Sequence, residues 1–208
     1  DWLKTRLQAI GLRPINNIVD ITNYILHETA VPMHTFDADK IKGGQIVVKT
    51  CAEGTKFVTL DGNEHSLSER DLMICNAEEP MCIAGVFGGL YSGVSENTKN
   101  IFIEAASFDG ASIRHTSNRL GLASESSQRF VKGTNHFQAD AVLNYAAQLI
   151  RELCEAKECS NIVSYQSETQ EVRDLGTYCD RYGGIRDERY PDLRRDDRAQ
   201  VAVPQAGR

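Results

Sequence analysis

The stretch NIVDITNYILHETAVPMHTFDADKIKGGQIVVKT, residues 17–50, changes its hydrophobic period partway along. In its first part Ile18, Val19, Ile25 and Leu26 recur at helical spacing. That helix has to stop before Pro32, because proline disfavours helical backbone in the residue ahead of it. PMHTFD then reads as a turn leaving the helix. Beyond Gly43 and Gly44 the period falls to that of a strand: QIVVKT, KFVTL, DLMIC, MCIAGVF and NIFIEAA all alternate, and Asp61-Gly62 reads as a hairpin turn.

Helices return on either side of this block. DWLKTRLQAIGL starts at a good N-cap, Asp1, places Leu3, Leu7 and Ile10 on one face, and stops at Gly11. DGASIRHTSNRLGL is a helix capped by Asp109 and closed by Gly121. A long helix is expected over residues 135–157, with Phe137, Ala141, Tyr145, Leu149 and Leu153 along one side. Strands gathered between helices, without a βαβ repeat, predict an α+β fold. Its expected form is a central β-rich block, a sheet or sandwich of unusual topology, flanked by helices in a three-layer arrangement. From about Ser167 the sequence mixes charge, glycine and proline with no sustained period, which reads as a tail or linker. The expected division is therefore a domain over residues 1–166 and a tail over 167–208.

Composition limits the partners. The 208 residues are 41% hydrophobic and 25% charged, enough to bury a core. The net charge of −6, from 23 basic and 29 acidic residues, argues against a module that grips nucleic acid mainly by its phosphates. Any RNA role must be local, resting on a pocket. Cys51, Cys75, Cys82, Cys154, Cys159 and Cys179 form no CxxC pair, and the histidines lack zinc-finger spacing, so no metal is expected. No apolar run approaches the ~20 residues of a membrane span, and a cytoplasmic setting without a membrane partner is the expectation. A first residue of Asp1, not Met, suggests a fragment or processed product.

Five segments, in order, carry a resemblance: RPINNIVDITNYILHETAVPMHTFDADKI, IAGVFGGLYSGV, IFIEAASFD, IRHTSNRLGL and SESSQRFVKG. Together they resemble the central editing domain of the bacterial phenylalanyl-tRNA synthetase β chain, over roughly residues 1–163. The resemblance implies a piece of a class II aminoacyl-tRNA synthetase, an (αβ)₂ tetramer whose α chain holds the aminoacylation site. Its implied task is hydrolysis of tyrosine wrongly attached to phenylalanine tRNA, with the tRNA acceptor end and the α chain as partners. ATP and Mg²⁺ would serve the whole synthetase, and this domain would need no cofactor. The family's pocket maps onto His34, Asn23 and Gly85 for catalysis, and onto Glu104, Thr22, Ala84, Ser124 and Ser126 for holding the substrate. Ser124 and Ser126, in an expected loop, stand where the family often has threonine and alanine; serine is small enough to keep a pocket open. The alternative is a non-catalytic RNA-binding or assembly module of the same fold.

The residues themselves leave choices open. Discrimination against phenylalanine is strong only where a site hydrogen-bonds the phenol and leaves a buried polar group unpaired without it. Glu104, ending the strand IFI, is the candidate partner; the other reading pairs it with Arg114 or Arg129. His34 either caps Asp37 or Asp39, or orients a water or the terminal ribose beside the ester. Thr22 and Asn23 either tie their helix to a neighbour or line a pocket. His27, Arg114 and Arg129 read as structural or RNA-end contacts. Glycines 85, 88 and 89 let backbone approach a ligand and offer N–H donors to an oxyanion. No G-x-S-x-G elbow or paired Cys–His nucleophile is present, so a positioned water is the expected attacker.

Overall fold

A computed structural model of the chain describes residues 1–157, 159–165 and 199–202. Helix α1, Trp2–Ala9, and helix α2, Asn17–Thr29, precede strand β1, Met33–Asp37. Strands β2, Val47–Thr50, β3, Lys56–Val58, β4, Glu64–Ser66, and β5, Leu72–Cys75, follow. Then come β6, Pro80–Ile83, β7, Phe87–Gly88, and β8, Ile101–Ala105. Helices α3, Gly110–Leu120, α4, Glu125–Lys132, and α5, Ala139–Cys154, lead to strands β9, Ile162–Tyr165, and β10, Ala199–Ala202. Among the described residues no helix is long and apolar enough to cross a membrane.

The strands form two sheets of order β1-β8-β10-β9 and β2-β5-β6-β7, with β3 and β4 as a separate hairpin. In the first sheet β1 runs antiparallel to β8, pairing His34 with Glu104 and Phe36 with Phe102. Directly opposed residues of an antiparallel pair share a face, and successive ones alternate faces. One face therefore shows His34, Phe36, Phe102 and Glu104; the other shows Met33, Ile101 and Ile103. The second set packs on Ile21 and Ile25 of α2, Leu3 and Leu7 of α1, and Val142, Ala146, Leu149 and Ile150 of α5. The first set turns to the second sheet, where Phe36 and Phe102 pack with Ile74, Met81, Cys82 and Ala84. Each fully buried phenylalanine contributes roughly 1.5–3 kcal/mol to holding the sheets together. On the far side of the second sheet, Met73, Cys75 and Ile83 meet Ile113 of α3 and Phe130 of α4. The α+β class is as expected: paired sheets form the central block, and helices cover both of its outer faces.

The local signals account for most boundaries. Asn16 caps α2 by accepting from the Val19 N–H at 2.9 Å, and the helix ends in a left-handed Ala30 before Pro32. Asp109 caps α3 and Gly121 closes it in the left-handed conformation. Gly62, with φ of 81°, turns the β3–β4 hairpin as Asp61-Gly62 predicts. Three local readings need correction. MHTFD is a strand, not a turn, because it finds a partner in β8, far along the chain. SESSQRFVK is a helix with Ser124 as its cap, so Ser124 and Ser126 are not in a loop. The long helix starts at Ala139 after a 3₁₀ turn at His136–Gln138 and ends at Cys154. Of the expected tail, residues 199–202 pair with β8 and β9, and the remainder of 167–208 lies outside the described residues.

Candidate functional site

Buried acids single out one position. Among the described residues Asp20, Asp37, Asp71 and Glu104 are buried. Asp20 accepts from the Ile15 N–H at 2.8 Å. Asp37 accepts from Thr98 Oγ1 at 2.7 Å and from the Asp39 N–H at 3.2 Å. Asp71 accepts from Thr116 Oγ1 at 2.9 Å and from the Ser68 N–H at 2.8 Å, and forms an ion pair with Arg119. Glu104, only 6% exposed, has no hydrogen bond or ion pair among the described residues. Burial alone raises its carboxyl from the usual 4.5 to about 8, so near neutral pH it holds its proton. The alternative pairing fails, since Arg129 is engaged with Glu125 at 2.7 Å and Arg114 is exposed.

Opposite Glu104 in the strand register stands His34. Its Nε2 is buried and has no hydrogen-bond partner among the described residues, and burial pushes the imidazole down to about 4. It caps neither Asp37 nor Asp39; its ring meets Phe36 edge to face at 4.5 Å. Leaving a buried polar atom unmatched is unfavourable by roughly 1–3 kcal/mol, so the Nε2 of His34, facing a buried acid with no hydrogen bond among the described residues, points to a ligand that completes it. Gly88 lies against the imidazole: a Cβ there would sit 3.1 Å from His34 Cε1 and 2.8 Å from Leu60 Cδ1. Cys82, paired with Gly88 in register, points to the same space. Burial pushes its thiol up, and the nearby Glu104 adds to that rise.

The other sequence candidates fall at varying removes from this pair. Ala84 is buried in the cluster between the sheets, beside Phe36 and Phe102. Its N–H is committed to the Leu72 carbonyl at 2.9 Å, as that of Gly89 is to Met81 at 3.0 Å, so neither is free for an oxyanion. Gly85, with φ of 65°, faces the other way: a Cβ there would meet Phe130 Cδ2 at 2.8 Å. Ser124 Oγ donates to the Val86 carbonyl at 2.8 Å and accepts from the Ser127 N–H at 3.1 Å, which fastens α4 to the 84–88 turn. Ser126 lies half-buried in the first turn of α4. Thr22 is buried on α2 and donates to the Val19 carbonyl at 2.9 Å; Asn23 follows it, half-buried. Neither hydrogen-bonds to His34 or Glu104 in the described residues. Sequence reasoning missed Cys82 and Leu60, and it could not rank Gly88 above Gly85. The β6–β7 register pairs Cys82 with Gly88, and the packing of one sheet on the other brings Gly88 to His34 and Leu60.

Comparison with known proteins adds to this geometry. The B3/4 domain family matches residues 1–155. The phenylalanine–tRNA ligase β subunit of Porphyromonas gingivalis is 57% identical over 154 residues, 74% of this chain and 19% of that protein. The corresponding subunit of Bacteroides fragilis is 55% identical over 153 residues, with the same shares of 74% and 19%. The chain thus spans about a fifth of the length of these relatives. Among solved structures, an N-terminal fragment of the phenylalanyl-tRNA synthetase β subunit from Pyrococcus horikoshii aligns with a TM-score of 0.45 and 15% identity, over 90% of this chain and 59% of that one.

Proposed function

Because the chain belongs to the B3/4 domain family, we propose that it is the editing domain of a phenylalanine–tRNA ligase β subunit and hydrolyses tyrosyl-tRNA(Phe). The observation that carries this reading is the buried Glu104, with no hydrogen bond among the described residues, facing the Nε2 of His34, which also has none among them. A protonated carboxyl has an O–H to donate and a carbonyl to accept, and a phenol hydroxyl offers the same two functions. A tyrosine whose hydroxyl reaches Glu104 would satisfy it. Phenylalanine in the same place would leave it unmatched, which is the condition for strong discrimination.

The reaction needs little machinery, because an aminoacyl ester is already activated. A water oxygen attacks the ester carbonyl, the bond to the ribose oxygen breaks, and free tyrosine and the tRNA hydroxyl result. His34 stays neutral at the working pH, so a lone pair at Nε2 can accept a hydrogen bond from that water or from the neighbouring ribose hydroxyl. Holding the two in place supplies the rate. Asn23, Thr22, Ala84 and Ser126 complete the proposed surroundings, with Gly85 and Ser124 acting through the turn that one seats against Phe130 and the other fastens. The α chain and the tRNA acceptor end are the proposed partners, the proposed setting is cytoplasmic, and this domain acts without a cofactor. The test is deacylation by the chain itself: tyrosyl-tRNA should be hydrolysed well ahead of phenylalanyl-tRNA. Absence of hydrolysis, or equal rates, would refute the reading.

A further inference from the structure

Ile74, Cys82 and Gly88 stand opposite one another in successive antiparallel pairs of the second sheet. Opposed residues share a face, and this face turns to the first sheet, since Ile74 and Cys82 pack with Phe36 and Phe102. The row therefore lies across the inter-sheet space from the one formed by His34 and Glu104. At Gly88 the row has no side chain, and the imidazole comes close: a Cβ there would sit 3.1 Å from His34 Cε1. One strand over, about 4.8 Å away, Cys82 follows, as Glu104 follows His34 in the facing sheet. Burial pushes the Cys82 thiol up and the nearby Glu104 adds to that rise, which places sulfur and carboxyl in one neighbourhood. The thiol makes only long contacts to backbone, with the Phe87 carbonyl at 3.4 Å and the Ile83 carbonyl at 3.5 Å. A buried thiol of this kind behaves as a small hydrophobe with a weak donor, so what Cys82 presents is bulk.

We propose that Cys82 is a specificity-determining residue of this site: its sulfur sets the width left beside the phenol hydroxyl, so that tyrosine fits and tyrosines carrying a group ortho to the hydroxyl are rejected. This rests on the deacylase reading above. A phenol oxygen in hydrogen-bond reach of Glu104 brings its two ortho carbons with it, and these meet whatever lines the carboxyl. Glu104 is buried and has no hydrogen bond among the described residues, so the approach to it is governed by shape. Phe36 and Phe102 are locked in the core, and Ala84 has nothing beyond its Cβ to withdraw. Cys82 is where one heavy atom added or removed changes the width without disturbing either ring. Interiors are close-packed, so a change of that size is felt, and a single methylene in a pocket alters discrimination roughly 10- to 200-fold.

The 208-residue chain should be given tyrosyl-tRNA(Phe) and the same tRNA acylated with 3-methyltyrosine, whose methyl is close to the sulfur in size and leaves the acidity of the phenol nearly unchanged. The wild type should release the methylated amino acid about tenfold more slowly than tyrosine. Cys82→Ala should bring the two rates together, and Cys82→Val, which adds an atom, should slow release of tyrosine itself about tenfold, with both variants still melting cooperatively. A residue that only supports the fold would lower both rates and leave their ratio alone. That result, or a ratio in Cys82→Ala equal to that of the wild type, would overturn the assignment. Amide-linked tyrosyl-adenosine and its 3-methyltyrosyl counterpart, which resist hydrolysis, repeat the comparison as binding followed by NMR. The same preference in binding, abolished by Cys82→Ala, without any release of tyrosine keeps Cys82 and sinks the deacylase reading. Release of tyrosine without the preference does the reverse, and neither binding nor release refutes both.

Discussion

Replacing Glu104 with glutamine should change how stability depends on pH, in a direction fixed by burial. In the native state burial raises the carboxyl from its usual 4.5 to about 8. Between those values the folded chain keeps a proton that the unfolded chain has released, so stability falls as pH rises. At about 1.4 kcal/mol per tenfold change in proton affinity, the full loss is on the order of 5 kcal/mol by pH 8. His34 works in the opposite sense, its imidazole pushed down from the usual 6.5 to about 4. There the unfolded chain holds the extra proton, and stability rises with pH across that window by on the order of 3 kcal/mol. From 4.5 to 6.5 the two slopes offset each other. From 6.5 to 8 only Glu104 acts, and the wild type should lose about 2 kcal/mol. Glu104→Gln removes this contribution: its stability should stay level above 6.5, where the wild type declines, and should rise with pH below it as the His34 slope is unmasked. Urea titrations followed by circular dichroism at half-unit steps from pH 5 to about 8.5 measure the difference. Parallel wild-type and Glu104→Gln curves throughout would refute the claim that burial holds the proton on Glu104.

Gly88→Ala should crowd His34 and push the flexible tip of Leu60 aside, slowing tyrosyl-tRNA deacylation by about tenfold with little change in melting temperature; by contrast, the Gly85 position, strained and set against Phe130, should answer the same substitution with an earlier melt. Asp71→Ala leaves the buried Thr116 hydroxyl and the Ser68 N–H without their acceptor, while the exposed Arg119 returns to solvent, so denaturant titration should register a loss of about 1–3 kcal/mol. Chelators should leave deacylation unchanged; activity lost to a chelator and restored by zinc would reassign the histidines and cysteines.

What could be read from the sequence was local. The change of period at Gly43-Gly44, the Asp61-Gly62 turn, and the Asp109 and Gly121 caps each depend on a few adjacent residues, and each stands in the structure. The pairing of His34 with Glu104 is different, because no residue near His34 specifies its partner across β1 and β8. Without that register MHTFD resembles a turn, and the shared face of His34 and Glu104 stays hidden. The same limit applies to the glycines: only the register of β6 and β7 separates Gly88, against the imidazole, from Gly85, against Phe130. Ser124 was legible as a site residue only through resemblance. Its hydroxyl is an N-cap, a signal present in SESS but masked by the absence of a following apolar period.

The central claim is that Glu104 reads the tyrosine hydroxyl, and it is tested most directly by one ratio. Single-turnover deacylation of tyrosyl-tRNA and phenylalanyl-tRNA should be measured at neutral pH for the wild type and Glu104→Ala. Removing the partner of the phenol leaves its hydroxyl unmatched at a cost on the order of 1–3 kcal/mol, so the ratio of the two rates should fall roughly five- to 150-fold. The fall should come from slower tyrosyl-tRNA hydrolysis, with phenylalanyl-tRNA unchanged or faster because its ring no longer buries an unmatched carboxyl. Equal slowing of both substrates by a variant that remains folded would make Glu104 a catalytic or supporting acid and contradict the account.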